Sequence, residues 1–393
     1  MKKRIAVIFD EDIYCQRGMF NAIRNRVKYL NDIADFDIDV FVIGCYEPWY
    51  IRRLRGTEAK KKVKSIVLDG ITYHTLWYNF TLTDYILDVK LHLSPIFTKL
   101  FYKRLVNRIH GYDLISAHST NCGLLAMRVS RRDKIPFCVT WHGNDIHTTP
   151  FKNKAYYNIV ENILRTANGN FFVSENLQSI GKSIAPDMTS SVLYNGRNES
   201  FVTYSEERKK MLAEKFGKLQ GDKVVAFVGN LMEVKNPQLI APIFEKVKNK
   251  IDSPLNFWVI GSGKMQQQVE EDCKHRNLQC KFWGGQPSDV MPDFMNCIDV
   301  LILPSRNEGL PLVVVEAIAC GANVVGSDVG GISEAIGKEN VFPHGNEFVD
   351  KVSDRIVYML THKVEQSLLG VFEWKNTANK EFHFYKELLN EQK

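Results

Sequence analysis

The 393-residue chain has no uninterrupted apolar run approaching the roughly 20 residues that a membrane-spanning helix needs. Its most apolar window, residues 310–326, is broken by Glu316, Asn323 and two glycines. There is no CxxC pair, and Cys273, His275 and Cys280 lack the second pair that a zinc site would require. The eight cysteines are scattered, mostly inside apolar runs, which reads as buried thiols in a reducing compartment. No low-complexity tract occurs, and 25 glycines with 13 prolines are ordinary, so collagen-like and disordered chains are excluded. A secretory leader is not expected either. MKKRIAVIFDED starts like one, but IAVIF runs straight into Asp10, Glu11 and Asp12, so it reads as a first strand. What is left is a two-domain chain expected in the cytoplasm.

Charge is divided unevenly. Residues 1–195 carry 27 Lys+Arg against 18 Asp+Glu, a net of +9, and the remainder carries 24 against 27, a net of −3. The excess of the first half suggests an anionic partner for that half. The stretch IFTKLFYKRLVNRI sets Ile96 and Leu100 beside Lys99, Lys103 and Arg104, a pattern suited to a core-facing helix or to an interfacial helix on anionic lipid. Nucleic acid is not expected, because no recognised reading module accompanies the charge.

Short apolar runs alternate with helix-like stretches from the start: RIAVIF, IDVFVI, DLISAH, PFCVTWH and NFFVS, then VVAFVG, LNFWVIG, KFWGG, DVLILPS, ANVVG and VFP. Runs that are apolar throughout suit parallel strands covered on both faces, and the alternation implies βαβ units. A polar stretch near residues 197–222 separates the two series. The predicted divisions are 1–195, 196–370 and a terminal helix in 371–393. Residues Thr57–Ser94 are left open by the pattern.

In open α/β sheets, ligands bind beyond the carboxyl ends of the strands, where glycine turns and helix N-termini present free N–H groups. Four such turns occur: GNLMEVKN with Gly229, Asn230 and Lys235; GSGK with Gly261, Gly263 and Lys264; GGQP; and PSRNEGLPLVVVEA. GSGK fails as a Walker A tail, since Trp258 stands where the first glycine belongs and Met265 where Ser or Thr does. In the last turn Glu308 and Glu316 lie eight residues apart with Gly309, Leu310 and Pro311 between or beside them. Pro311 suits a helix's first turn, so the N–H groups of Leu312 and Val313 are expected to face an anion at the helix start. Glu316 falls in an apolar face, where an unpaired carboxylate is costly.

PSRNEGLPLVVVEAIACGANVVGSDVGGISEAI resembles the Glu-x7-Glu region of family-four retaining glycosyltransferases, which have the GT-B fold. VGNLMEVKN resembles the family's phosphate turn, GSGKMQQQVE its next glycine turn and HGNDI its acceptor-side loop. VSENLQSI and LYNGRN resemble the stretch entering the hinge, and FEWKNTANKEFHFY the C-terminal crossover helix.

The resemblance implies an α/β GT-B architecture: two tandem Rossmann-like domains facing a central cleft, with the C-terminal helix crossing back to the first. It implies a nucleotide-sugar donor, a glycan or lipid-linked hydroxyl acceptor, retention of anomeric configuration and a role in surface polysaccharide synthesis. It calls for no cofactor and no metal, and it allows a peripheral position at the inner face of the cell membrane. Lys235 would neutralise the donor diphosphate, Glu316 would accept from the ribose hydroxyls, and Glu308 would hold the donor sugar. Leu312 and Val313 N–H groups would cap phosphate, Gly18 would let backbone approach the diphosphate, and His142 would lie near the reacting sugar with Asp145 in support. The family's Gly-Arg-Leu turn has Asn230 in place of arginine here, so Lys264, Arg197 or Arg306 is expected to supply the missing cation. Asp10-x-Asp12 resembles the metal motif of the other major glycosyltransferase fold, but it follows the first strand and is not expected to hold a metal. A nucleotide-sugar epimerase of the same fold and a catalytically inactive nucleotide-binding subunit are the alternatives.

Overall fold

The structure, a computed structural model, describes residues 2–14, 18–33, 35–86, 104–219, 221–364, 366–367 and 369–390. Ile96, Lys99, Leu100 and Lys103 of the basic amphipathic stretch lie outside the described residues. The chain divides into two compact units: Met1–Val173, Leu177–Leu193 and Lys375–Lys393 in the first, Ser174–Asn176 and Tyr194–Trp374 in the second.

In the first unit the strands are β1 (Lys3–Phe9), β2 (Phe36–Tyr46), β3 (Ser65–Leu68), β4 (Ile71–Asn79), β5 (Leu114–His118), β6 (Phe137–Trp141), β7 (Gly169–Phe172) and β8 (Ser190–Val192). They form one sheet in the order β3-β4-β2-β1-β5-β6-β7-β8. All pairs are parallel except β3–β4. That antiparallel hairpin occupies part of the stretch left open by the sequence pattern. Its signal was the Asp-Gly dipeptide between two β-rich runs: Asp69 and Gly70 both take positive φ, 51° and 76°, as a tight primed turn demands. The helix Met19–Ile33 buries Phe20, Ile23, Val27 and Leu30, an apolar stripe at helical spacing, into a core shared with Phe9, Val42 and Tyr73.

The C-terminal helix Trp374–Asn390 belongs to this first unit from Lys375 onward. Ala378, Tyr385 and Leu389 enter the same core. Glu381 pairs with Arg26, both side chains being almost wholly buried, and the Tyr385 hydroxyl donates to Ser116 Oγ at 2.8 Å.

The second unit contains β9 (Lys223–Val228), β10 (Leu255–Ile260), β11 (Cys280–Gly284), β12 (Val300–Leu303), β13 (Asn323–Ser327) and β14 (Val341–Phe342). These form a parallel sheet in the order β11-β10-β9-β12-β13-β14.

The boundaries differ from 195/196 and 370/371. The first lies at 193/194, because the Tyr194 ring packs on Phe372 at 4.9 Å. The last lies at 374/375, because Arg197 N–H donates to the Phe372 carbonyl at 3.0 Å and holds that segment in the second unit. Residues 174–176 also join the second unit, since the Glu334 carboxylate accepts the N–H groups of Glu175 (2.8 Å) and Asn176 (2.9 Å). Among the described cysteines, Cys45, Cys122, Cys138, Cys273, Cys280, Cys297 and Cys320 are free thiols.

Candidate active site

Strand order reverses between β9 and β12, so the turns leaving those two strands splay apart into a crevice at their carboxyl ends. Phe227 of β9 lies in register with Ile302 of β12. This adjacency brings together residues 73 positions apart in sequence: Lys235 Nζ donates to Glu308 Oε1 at 2.5 Å. The pair is largely shielded, with side chains 21% and 9% exposed. A charge-assisted contact of this kind orients both groups and leaves ammonium donors available to a further anion.

The helix Leu312–Ala319 begins immediately after this loop. Pro311 is its N-cap in extended conformation (φ −71°, ψ 124°), one position earlier than the first-turn placement expected from sequence. Val314 N–H donates back to the Pro311 carbonyl at 3.2 Å. The Leu312 and Val313 N–H groups have no acceptor among the described residues, as the first turn of any helix leaves them. One turn on, the half-buried Glu316 carboxyl has no hydrogen-bond or ion-pair partner among the described residues, and burial pushes its pKa up to about 7.

The glycine turns are built by backbone packing. Gly229 N–H donates to the Ile260 carbonyl at 2.9 Å, and Leu231 N–H to the Ser262 carbonyl at 3.0 Å. A Cβ on Gly261 would collide with the Gly229 carbonyl, and one on Gly263 with the Leu231 carbonyl. These glycines therefore let two turns press together, which brackets Asn230 with the turn that carries Lys264. Asn230 and Lys264 are both exposed. Lys264 has no side-chain partner among the described residues. Arg306 joins the Lys235 turn, donating to Asn236 Oδ1 at 3.2 Å and Glu233 Oε1 at 3.1 Å. Arg197 is engaged elsewhere, with the Phe201 carbonyl at 3.1 Å and Glu373 at 3.4 Å.

Sequence reasoning missed the supports of the Glu308 loop. Gly331 N–H donates to the Gly309 carbonyl at 2.6 Å, and a Cβ on Gly330 (φ +56°) would fall on the Glu308 carbonyl. Asn195 Nδ2 donates to the Leu310 carbonyl at 2.8 Å. Ser327 Oγ donates to the Ser305 carbonyl at 2.5 Å, with His344 Nε2 2.8 Å from the same oxygen. The available signals were the Gly-Gly pair in DVGGIS and the Asn-Gly pair in LYNG.

The first unit places its own polar group at the ends of neighbouring strands. His118 closes β5, and His142 follows β6, with His118 in register with Thr140. His118 Nδ1 and His142 Nε2 lie 2.9 Å apart, and the rings stack at 5.2 Å. Burial drives both imidazole pKa values down, that of His142 to about 3. Asp145 holds the loop through backbone, accepting from His142 N–H at 2.9 Å and Gly143 N–H at 2.8 Å. Its pKa is pushed up to about 6 by burial, against the pull of those N–H donors. His118 was not foreseen; its signal was a second strand-terminal histidine in a neighbouring parallel strand.

Gly18 has φ +52° with open space around the position of a Cβ, so only its backbone angle calls for glycine. Asp10 accepts from Ser119 Oγ at 2.5 Å and Asn121 Nδ2 at 3.0 Å, while Asp12 pairs with Lys60 at 2.6 Å. Among the described residues no cluster of three or more His, Cys, Asp or Glu side chains is arranged to hold a metal ion.

The family described as "Glycosyl transferases group 1" matches residues 209–365, and "Glycosyltransferase Family 4" matches residues 85–201. A Bacillus subtilis glycosyltransferase assigned by name to teichuronic acid biosynthesis, TuaC, is 30% identical over 79% of this chain and 77% of its own. Sucrose-phosphate synthase from Thermosynechococcus elongatus superposes with a TM-score of 0.75 at 15% identity, over 99% of this chain and 100% of that one. Anabaena HepE in complex with UDP-glucose superposes at 0.66 and 16% identity, over 99% of both chains.

Proposed function

Since the chain belongs to glycosyltransferase family 4 and has its GT-B fold, we propose that it moves a sugar from a nucleoside-diphosphate sugar to a hydroxyl of a glycan or lipid-linked acceptor, with retention, in surface polysaccharide synthesis. The observation that carries the donor half is the convergence at one crevice of the Lys235–Glu308 pair, two acceptor-free N–H groups at Leu312 and Val313, and the unpartnered Glu316. A diphosphate needs cations and N–H donors, and a ribose needs a carboxylate acceptor. The names of relatives support the rest: teichuronic acid biosynthesis for TuaC, and a bound UDP-glucose for HepE.

In this reading the bond between the sugar C1 and the diphosphate oxygen breaks as the acceptor oxygen bonds C1 on the same face. The acceptor proton passes to the departing diphosphate oxygen. Lys235 stabilises the charge growing on that leaving group, the kind of interaction that strengthens in the transition state. Glu308 turns its second oxygen to a sugar hydroxyl. His142, held neutral, donates or accepts one hydrogen bond and does not act as a base. Lys264, on the turn bracketing Asn230, supplies the second cation that the family's arginine would. No cofactor takes part, and the charge neutralisation is assigned to side chains and N–H groups.

The test is thermal denaturation with UDP-, GDP- and ADP-sugars, because a ligand that binds only the folded state raises the transition by mass action. One of them should raise the wild-type midpoint, and Glu316→Ala should abolish the rise. No shift with any donor, or an unaltered shift in Glu316→Ala, sinks the donor-site assignment.

A further inference from the structure

The helix Trp49–Arg55 of the first unit buries only Ile51. Its other large apolar side chains face solvent: Trp49 is 67% exposed, Leu54 56% and Tyr50 39%. Trp49 and Tyr50 meet edge to face at 5.9 Å, so the two rings form one projecting platform. Arg55 is paired with Glu47, whereas the Arg52 and Arg53 guanidinium groups have no side-chain partner among the described residues. The following chain runs into Lys60, Lys61, Lys62 and Lys64, so that residues 47–64 hold seven cations against two acids, a local net of +5. Over half of the first half's +9 therefore sits beside the tryptophan and leucine most exposed among that half's described residues.

We propose that this helix is a docking surface for an anionic lipid bilayer. Three physical points select that partner. Tryptophan and tyrosine have amphipathic rings that settle at headgroup depth, which suits their exposure here. An unpaired arginine pair and a lysine run gain from the negative surface potential of anionic lipid. A soluble polyanion would use the same cations but gives no reason to keep Leu54 and Trp49 in water, whereas the acyl boundary removes their apolar area from it. No described helix is long and apolar enough to cross a membrane, so contact would be peripheral. The proposal rests on the reading of a lipid-linked acceptor, and it names the surface that brings the enzyme to it.

The experiment is sedimentation of the full chain with vesicles of phosphatidylcholine alone or mixed with phosphatidylglycerol, at low and high salt. The wild type should pellet with the mixed vesicles only, and salt should release it. Trp49→Ser with Leu54→Ser, and separately Arg52→Glu with Arg53→Glu, should each lower partitioning about tenfold or more. Trp49, Arg53 and Leu54 are exposed and Arg52 is half-buried, none of them in the core, so transfer to a water-soluble acceptor should stay at the wild-type rate. The proposal is overturned if the wild type ignores anionic vesicles, if either variant binds as the wild type does, or if a soluble polyanion competes equally in the presence and absence of Trp49 and Leu54. Absence of transfer by every form, the wild type included, counts against the functional reading alone, because vesicle binding is read without it.

Discussion

The crevice at the ends of β9 and β12 and the histidine ridge at the ends of β5 and β6 both lie at the carboxyl ends of neighbouring parallel strands, yet their electrostatics are opposite. The first keeps charge available: an ion pair, with N–H groups and a carboxyl that have no partner among the described residues. The second consumes its polar capacity internally, with His118 on His142 and Asp145 on backbone N–H groups. A site for a diphosphate must be charged and unsatisfied before the ligand arrives, whereas a site that only hydrogen-bonds a hydroxyl can be neutral and preorganised.

The contrast breaks most easily at Lys235. Lys235→Ala removes the cation and leaves Glu308 shielded without its partner, and kcat/KM should fall by about 100- to 1000-fold. His142→Asn on the neutral side should cost at least several-fold less in the same assay. Equal losses would mean that charge is not what separates the two regions.

A second test compares glycines. Gly330→Ala places a Cβ against the Glu308 carbonyl and in a left-handed backbone, so it should destabilise the second unit by about 2–3 kcal/mol and abolish nucleotide stabilisation. Gly18→Ala meets only the backbone-angle cost of about 1–2 kcal/mol. Denaturation midpoints of both variants, with and without UDP, decide between them; similar losses would mean that the crowding at Gly330 is relieved by loop movement.

The third concerns pH. In the proposed function ribose hydroxyls donate to an ionised Glu316, and burial has raised this group from 4.5 to about 7. Donor affinity should therefore weaken as pH falls below about 7, approaching tenfold per pH unit, with Glu316→Gln nearly flat. Stability runs the other way. The folded state holds the Glu316 proton more tightly than the unfolded state, so this contribution is fully present below 4.5 and is lost as pH rises through about 7. Glu316→Gln should accordingly raise the unliganded melting temperature above pH 7, and an unchanged midpoint would place Glu316 in water.

The smallest effect lies on the neutral side. With His142 drawn down to about 3 and His118 also well below its ordinary value, neither ring should protonate between pH 5 and 8. Imidazole chemical shifts should stay level over that range. A midpoint near 6.5 for either ring would make the ridge a titrating site and erase the contrast.

Legibility followed how locally each feature is encoded. The parallel strands were readable because each is an apolar run buried on both faces, and Glu308 and Glu316 because they share one loop and helix. The β3–β4 hairpin was signalled by Asp69-Gly70, a cue shorter than the surrounding irregularity. His118 carried a strand-terminal signal, but its pairing with His142 was not readable, because a whole crossover helix separates the two. Glu334, Asn195 and Gly331 were hidden for the same reason: each acts on backbone atoms far away in sequence.

The amino-acid order by itself determined the class of fold, the two series of βα units and the residue types available to the proposed donor site. Periodicity and turn chemistry are local properties that survive without any long-range contact. Tertiary structure alone decided which of those residues meet. Lys235 reaches Glu308 because strand order reverses between β9 and β12, and Glu316 has no partner among the described residues because packing half-buries it without supplying one. Contact between distant residues and loss of solvent are products of topology, and no stretch of sequence contains either.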